Sequence, residues 1–286
     1  MKKILVTGAN GQLGQCLQKI SSQFEEFEFI FTDSETLDIT NKEEVNDFFW
    51  QNAPDFCINA AAYTAVDLAE TEVEKAFLVN ADGAENLAEA CAENNAQFIH
   101  VSTDYVFDGE NNLAYTEEDF TNPLGVYGAS KLAGDELALE VNPCSVILRT
   151  SWVYSEFGKN FVKTMLNLFA TKEELSIVAD QFGQPTNAND LAEAIMKIIK
   201  SEKITPGIFN FSNLGRISWF DFAEKIAELS EAKIKLNAIE TSQYPTPAKR
   251  PKNSVLDLDK ISKTYAVQLK PWEESLEDCV QILQNN

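Results

Sequence analysis

The sequence predicts an α/β fold in which helices cover both faces of a doubly wound, mostly parallel sheet. Short apolar runs alternate with amphipathic stretches through the first half of the chain. The apolar runs lack the polar alternation of a half-exposed strand, and a glycine-rich turn joins the first run to the first amphipathic stretch. Strands that are apolar on both faces and alternate with helices are typical of parallel sheets built from βαβ units.

The first half of the chain contains predicted strands separated by predicted helices, each assigned from its hydrophobic periodicity. The strands are the apolar runs "KKILVTGA", "FEFIFTD", "DFCINAAA", "QFIHVSTD" and "CSVILRTSWVY". The helices are the amphipathic stretches "GQLGQCLQKISSQF", "NKEEVNDFFWQN", "VEKAFLVNADGAENLAEACAENN" and "YGASKLAGDELALEV".

After about residue 158 this alternation loosens. Four further helices are predicted there: "NFVKTMLNLFATK", "NDLAEAIMKIIKSE", "SWFDFAEKIAELS" and "PWEESLEDCVQILQ". Two further strands are predicted: "ELSIVAD" and "GIFNFSN". Ser218, followed by Asp221 three residues later, predicts a variant of the capping box at one helix start. We therefore expect a larger domain of residues 1–158 plus about 185–212, and a smaller C-terminal α/β domain of about 159–184 plus 213–286.

Composition excludes several classes of function. The 286 residues carry 23 Lys and Arg against 45 Asp and Glu, a formal charge of −22. Such an acidic surface repels phosphate backbones and anionic membranes, so we expect no nucleic acid and no membrane partner. No stretch approaches the roughly 20 apolar residues of a membrane span. An anionic small substrate would need local cations.

Cysteine and histidine usage predicts a cytoplasmic protein without a metal site. The five cysteines are scattered without CxxC spacing, and the apolar run after Met1 is too short for a signal peptide. The one histidine, His100, lies in a strand-like run that is typical of a packed core imidazole. Acid–base chemistry is therefore expected from Tyr, Lys, Asp, Glu, Ser or Thr.

The stretch "TGANGQLG" predicts a dinucleotide site in the larger, Rossmann-like domain. Gly8, Gly11 and Gly14 follow the first strand and open the first helix, where bare backbone can approach a pyrophosphate. Asp33 ends the second strand, where a carboxylate can bond the adenosine ribose hydroxyls. Because that carboxylate repels a 2′-phosphate, the sequence favours NADH over NADPH.

Three features occur in chain order: the glycine-rich turn, "VSTDYVFDG" at a strand end, and Tyr127-x-x-x-Lys131 at a helix start. With them the chain resembles the dTDP-4-dehydrorhamnose reductases, within the extended short-chain dehydrogenase/reductase superfamily. The residues that carry the resemblance span nearly the whole chain: "TGANGQLG", "NAAAYTAVDLAE", "VNADG", "STDYVFDG", "VYGASKLAGD", "LRTSWVY", "DQFGQPT" and "PTPAKRPKNSVLD".

The resemblance implies NAD(P)H-dependent reduction of the C4 ketone of dTDP-4-dehydro-L-rhamnose to dTDP-L-rhamnose. It implies that Tyr127 is the general acid, that Lys131 bonds the nicotinamide ribose, and that Thr103 bonds the substrate carbonyl. The implied cofactor contacts, beyond the three glycines and Asp33, are Gln12, Leu13, Asp38, Ile39, Ala62, Tyr63 and Thr64. Tyr105 and Trp152 would contact the sugar nucleotide, and Arg250 its diphosphate. Further candidate cations for that diphosphate are Arg149, Arg216 and Lys249.

The chemistry of a Tyr–Lys pair agrees with this role, because ketone reduction leaves an alkoxide that must be protonated as it forms. A cation about 4 Å from the phenol, at an effective dielectric near 20, favours phenolate by roughly 4 kcal/mol. We therefore expect Lys131 to lower the pKa of Tyr127 toward neutrality. The small residues Gly128, Ala129 and Ser130 between the pair would let a cofactor lie against the helix.

Alternative functions remain open at this point. One is another nucleotide-sugar 4-ketoreductase, or a related epimerase or dehydratase. Another is a non-catalytic dinucleotide-binding subunit similar to the beta subunit of methionine adenosyltransferase. Some relatives dimerise through Mg²⁺ held by acidic residues after the third glycine, where this chain has Gln15 and Cys16. The expected assembly is thus a monomer or a homodimer without metal.

Overall fold

The computed structural model describes residues 1–285. Its strands in chain order are β1 (Lys2–Thr7), β2 (Phe27–Phe31), β3 (Phe56–Asn59), β4 (Gln97–Thr103), β5 (Val146–Thr150), β6 (Val153–Tyr154), β7 (Glu174–Val178), β8 (Phe182–Gly183), β9 (Thr186–Asn187), β10 (Gly207–Asn210), β11 (Ile217–Ser218) and β12 (Lys235–Ile239).

The helices complete the alternation that the first half of the sequence predicts. They are α1 (Gln12–Ser21), α2 (Lys42–Asn52), α3 (Val66–Ala69), α4 (Val73–Phe77), α5 (Gly83–Glu93), α6 (Val126–Val141), α7 (Phe161–Phe169), α8 (Ala188–Ile199), α9 (Trp219–Leu229), α10 (Asp259–Tyr265) and α11 (Trp272–Asn285). Two short 3₁₀ turns cover Asp104–Val106 and Thr241–Gln243.

The main sheet has six parallel strands in the order β10-β5-β4-β3-β1-β2. The order runs outward in two directions from β1 and β3, as a doubly wound sheet requires. The predicted fold class is therefore confirmed, and "GIFNFSN" provides one more strand of the sheet as expected, β10, which the structure places at its edge. The carboxyl ends of β1, β3 and β4 meet at one edge, where Thr7, Asn59 and Thr103 lie.

Two hydrophobic clusters cover the two faces of this sheet. One joins α1, α8 and α10 to the strands, and the other joins α2, α5 and α6. A third cluster lies apart from them and is built by α7, α9 and α11, with Phe222 and Trp272 buried in it. Beside it, β12 pairs in parallel with β7; the sequence patterns had not identified β12.

The predicted helix over "VEKAFLVNADGAENLAEACAENN" contains one wider turn. Between α4 and α5, residues Leu78–Asp82 form a π-helical turn, a feature often associated with functional positions. It places Asn80 so that its Oδ1 accepts from Tyr63 N at 2.8 Å, while its Nδ2 donates to Ser130 Oγ at 2.9 Å. The wider turn thus ties α6 to the loop after β3.

Helix starts follow the predicted capping chemistry. Ser218 Oγ accepts from Asp221 N at 3.1 Å, and Asp221 Oδ2 accepts from Ser218 N at 2.8 Å, so the predicted capping box is confirmed. Asn187 caps α8 through Asn189 N. None of the helices within residues 1–285 has both the length and the apolar character needed to traverse a bilayer.

Candidate active site

The glycine-rich turn joins β1 to α1 and leaves the start of the helix open. Gly8 has φ of +68°, and a Cβ there would lie 2.6 Å from Ala61 N. A Cβ on Gly14 would lie 2.4 Å from Gly8 O, so α1 approaches the turn too closely for any side chain. Gly11 is the N-cap and no side chain caps the helix. The first amides of α1 and its positive dipole end can therefore face a phosphate.

Two cavities adjoin at this turn and share part of their lining; together they are called the cleft. The first, of about 370 Å³, is lined by Gly8, Asp33, Asp38 and Ile39 among others. The second, called the central cavity, has a volume of about 530 Å³ and is lined by a larger set of the predicted residues: Gln12, Leu13, Ala62, Thr64, Thr103, Tyr105, Tyr127, Lys131 and Trp152. Both are lined by Gly11, Ala60 and Ala62. The structure thus brings most of the predicted site together; Tyr63 is held beside it by Asn80.

Asp33 is an ionised acceptor in the first cavity. It accepts from Thr36 Oγ1 at 3.0 Å and from Asn10 Nδ2 at 2.6 Å. These hydrogen bonds, with that from Thr36 as the largest contribution, lower the pKa of the carboxyl. The predicted ribose-binding carboxylate is therefore charged and oriented before any ligand arrives.

Thr103, Tyr127 and Lys131 lie in the second cavity, Thr103 at the end of β4 and the other two in the first turns of α6. Gly128 packs against Tyr105, since a Cβ would lie 2.2 Å from Tyr105 O. Ser130 is fully buried and bonds Asn80. For these two positions the prediction of space for a cofactor is wrong, because the small residues let α6 pack against its own chain.

The pKa values in the cavity differ from the expected pattern. Burial raises the pKa of Tyr127 to about 12, opposed by hydrogen bonding with Thr103 and reinforced by Asp104. Burial lowers the pKa of Lys131 to about 8, and Asp135 opposes that shift. The prediction that Lys131 brings the phenol toward neutrality is wrong for the protein alone, because desolvation of the phenolate dominates. Tyr127 is a protonated donor at neutral pH.

Lys131 is directed away from solvent in this structure. Only 1 % of it is exposed, and its Nζ lies 3.0 Å from His100 Nε2 and 2.8 Å from Val101 O. His100 is buried, as its strand pattern predicts, and burial holds its pKa well below the usual range. No short sequence pattern could show that this core imidazole touches Lys131, since the two residues are 31 positions apart.

This arrangement agrees with comparisons to known proteins. The family model of the RmlD substrate binding domain matches residues 1–285. The chain belongs to this family. A dTDP-4-dehydrorhamnose reductase of Aggregatibacter actinomycetemcomitans is 45 % identical over 97 % of this chain and 98 % of its own.

Solved structures give the same family. A dTDP-4-dehydrorhamnose reductase from Clostridium acetobutylicum superimposes with a TM-score of 0.95 at 44 % identity, over 99 % of both chains. The reductase from Bacillus anthracis, solved in complex with NADP, also has a TM-score of 0.95, at 40 % identity over 99 % of this chain and all of the other.

Two tryptophans form the far wall of the cleft in this RmlD-family chain. Trp152 stacks on Trp219 with ring centroids 3.5 Å apart and planes 10° apart. Trp152 has φ of +45°, and Gly183 leaves room for its ring, since a Cβ there would lie 2.5 Å from Trp152 Cε2. Sequence reasoning had singled out Trp152 but not Trp219. The available sequence signal for Trp219 was its position at the start of α9, directly after the capping Ser218.

Trp219 also lines a third cavity, of about 430 Å³, and Arg250 lies there rather than in the central cavity. Arg250 donates to both carboxylate oxygens of Asp67, at 2.9 and 2.7 Å. Of the other candidate cations, Arg149 is buried against Asp135 with an Nε–Oδ2 distance of 3.2 Å, which ties it into the core. Arg216 lies over the Phe182 ring at 3.9 Å, and Lys249 is exposed.

Asp104 is a further ionisable group of the central cavity that sequence reasoning had not given a role. Burial raises its pKa to about 7, although the neighbouring hydroxyls of Ser254 and Thr103 oppose that shift. Thr103 Oγ1 donates to Asp104 Oδ1 at 3.1 Å, while Oδ2 has no partner. Within residues 1–285, no group of three or more His, Cys, Asp or Glu side chains is placed to hold a metal ion.

Proposed function

We propose that this protein reduces the C4 ketone of dTDP-4-dehydro-L-rhamnose with a nicotinamide dinucleotide and forms dTDP-L-rhamnose. The main support for this proposal is that Thr103, Tyr127 and Lys131 line one cavity that reaches the open start of α1. Relatives at 45 % and 44 % identity that bear the reductase name support the same reaction.

Each of the three side chains has a separate role in ketone reduction. A bound NAD(P)H supplies the hydride. Thr103 would turn its hydroxyl proton from Asp104 to the ketone oxygen, and Tyr127 gives its hydroxyl proton to that oxygen as negative charge develops on it. The high pKa of Tyr127 keeps that proton in place until the alkoxide forms. Lys131 would bond the cofactor ribose beside Tyr127.

We propose that the nucleotide part of the substrate extends past Trp219 into the third cavity. That cavity offers aliphatic side chains, the exposed Tyr244 ring and Arg250. The Asp67–Arg250 pair at its rim is partly exposed, so a diphosphate can compete for the guanidinium. Arg250 would then supply a local cation for the diphosphate in a chain whose overall charge is negative.

For the cofactor, we propose that NADH is preferred over NADPH. The ionised Asp33 in the first cavity would repel a 2′-phosphate. The Bacillus anthracis relative was solved with NADP, so the preference of this chain has to be measured as a ratio of kcat/KM values.

We further propose that the larger domain of residues 1–158 plus about 185–212 holds the dinucleotide and the remainder holds the substrate. The separate hydrophobic cluster of α7, α9 and α11 supports that division. The five cysteines are all free, which supports a reducing, cytoplasmic compartment. We propose a monomer or homodimer, to be measured by sedimentation.

The decisive experiment follows NADH absorbance after addition of the 4-keto sugar nucleotide, with NMR of the product. We expect stoichiometric NADH consumption and the rhamno configuration at C4. Tyr127→Phe should reduce kcat by roughly 10²- to 10⁴-fold while NADH still binds. Absence of NADH consumption by the wild type, or normal turnover by Tyr127→Phe, would refute the proposal. A different C4 configuration would indicate another 4-ketoreductase.

A further inference from the structure

A row of buried polar side chains crosses three neighbouring strands directly behind Lys131. Thr7 of β1 pairs with Asn59 of β3, and Asn59 pairs with His100 of β4, so the three lie at one level of the sheet. None of them is more than 1 % exposed, and Lys131 from α6 ends the row. Because buried polar groups need partners, the direction of each hydrogen bond can be worked out along the row.

The orientation of the Asn59 amide is fixed at its oxygen. Oδ1 accepts from Thr7 Oγ1 at 2.8 Å and from the backbone N of Ala61 at 3.1 Å. A backbone N–H can only donate, so the oxygen must be at this end. The amide nitrogen therefore faces His100 Nδ1, at 3.0 Å. An amide nitrogen only donates, so His100 Nδ1 must be the acceptor.

This contact fixes the tautomer of His100. A neutral imidazole has one donor and one acceptor nitrogen, so an accepting Nδ1 places the proton on Nε2. The charged groups on the Nε2 side are Lys131 at 3.0 Å and Asp135, whose Oδ1 is 3.9 Å away and whose Oδ2 accepts from Arg149. Phe98 stacks against the ring with centroids 5.9 Å apart. The nearby carboxylate also favours a proton on Nε2.

An Nε2–H group and an ammonium cannot hydrogen-bond to each other, because both only donate. Lys131 Nζ also donates to Val101 O, which leaves an amine lone pair free to face the imidazole. We propose that His100, held by Asn59 as the Nε2–H tautomer, is a positioning residue that donates to Lys131 and favours its amine form over its ammonium form. The role of Lys131 in reduction rests on the proposed function; the hydrogen-bond directions do not.

The consequence concerns proton transfer at the Tyr127 end of the cavity. Burial already lowers the pKa of Lys131 to about 8, and a donor from His100 acts in the same direction. A lysine that gains and loses a proton near the working pH exchanges it efficiently, as acid–base groups matched to the medium do. With an apolar residue at position 100, only burial and Asp135 would determine the protonation equilibrium of Lys131.

The single histidine of the sequence makes the tautomer directly measurable. Untagged protein labelled with ¹⁵N-histidine should show a protonated Nε2 and an unprotonated Nδ1. The signal should not titrate between about pH 6 and about pH 9, since burial keeps the ring neutral. An Nδ1–H tautomer or an imidazolium would overturn the proposal. The spectrum needs no turnover, so its outcome is independent of the proposed reductase activity.

Asn59→Asp should reverse the direction of the hydrogen bonds from position 59 through His100 to Lys131, with little change in side-chain shape. The carboxylate still accepts from Thr7 and Ala61 but must also accept from His100, which moves the ring proton to Nδ1 and frees Nε2 to accept from an ammonium. We expect the tautomer to reverse and the pKa of Lys131 to rise by more than about one unit, a tenfold change in its protonation equilibrium. The lysine side-chain NMR signal lost in Lys131→Met reports it, and the pH profile of NADH oxidation should shift in the same direction.

Asn142→Asp is the matched control, since Asn142 is also a buried amide, at the far end of α6, where it donates to Ala88 O. It should leave the His100 tautomer and the Lys131 pKa at their wild-type values. A reversed tautomer with an unchanged Lys131 pKa would show that His100 does not govern Lys131. If Asn59→Asp fails to fold, the wild-type spectrum still tests the proposal, because an Nδ1–H tautomer would leave His100 no proton to donate to Lys131.

Discussion

The two halves of the cleft are built differently. The half around the glycine-rich turn takes its residues from the carboxyl ends of adjacent parallel strands: Gly8 and Ala60 directly follow β1 and β3, and Asp33 lies two residues after the end of β2. The half around the tryptophan stack combines Trp152, Trp219 and Arg250, which come from segments far apart in sequence. The first half is fixed by strand register, whereas the second depends on how α7, α9 and the loop before Arg250 pack.

Asp104 lies where the two halves meet, and its substitution should have the largest effect on stability. Its pKa is raised from 3.8 to about 7 because the carboxylate is buried. A raised pKa means that the folded state holds the proton more tightly, so this stabilisation is present below about pH 4 and is lost as the pH rises through about 7.

We therefore expect Asp104→Asn to gain stability relative to the wild type as the pH rises from about 4 to about 8, by on the order of 4 kcal/mol. Urea unfolding of both proteins at several pH values would measure the difference. Asp108→Asn is the matched control, since Asp108 is a hydrogen-bonded carboxyl whose pKa is lowered, and its difference should run in the opposite direction. A pH-independent difference for Asp104→Asn would contradict the raised pKa.

The same contrast explains how much could be predicted from the sequence. The strand–turn–helix context located Gly8 to Gly14, and the Tyr127–Lys131 spacing located the first turns of α6, because both are local patterns. Trp219 and the Asp67–Arg250 pair depend on contacts across about 67 and 183 positions, which no short pattern reports. The pKa of Tyr127 differs from its prediction for a related reason. The Tyr127–Lys131 spacing identifies the neighbouring charge, but it does not report the burial of the phenol, which has the larger effect on its pKa.

Gly14→Ala tests whether the two halves bind independently. Its Cβ would lie 2.4 Å from Gly8 O and 2.6 Å from Ala9 Cα, so the backbone of the turn must move. We expect NADH affinity to fall by about tenfold or more, about 1.4 kcal/mol, while dTDP affinity changes less than about twofold. Fluorescence titration and calorimetry would give the two constants. An equal loss of both would show that the halves are coupled.

Trp219→Ala is the reciprocal change. It removes the ring that stacks on Trp152 and lines both the central and the third cavity. Loss of such an aromatic contact should raise KM for the sugar nucleotide by roughly fivefold to tenfold, as expected for about 1 kcal/mol of stacking. NADH affinity should stay at the wild-type value. Trp50→Ala, at a side chain that is 82 % exposed, is the control and should change neither constant.

Asp33→Asn should have the smallest effect and acts only on the choice of cofactor. The asparagine keeps an oxygen for Thr36 while removing the charge that would face a 2′-phosphate. Because this site is open to solvent, removing one charge should raise the NADPH to NADH ratio of kcat/KM by only roughly fivefold. The gain should shrink at high salt, since screening weakens the repulsion that the wild type exerts. Asp47→Asn, on α2, is the control. An unchanged ratio for Asp33→Asn would mean that steric fit, rather than charge, sets the cofactor preference in this half of the cleft.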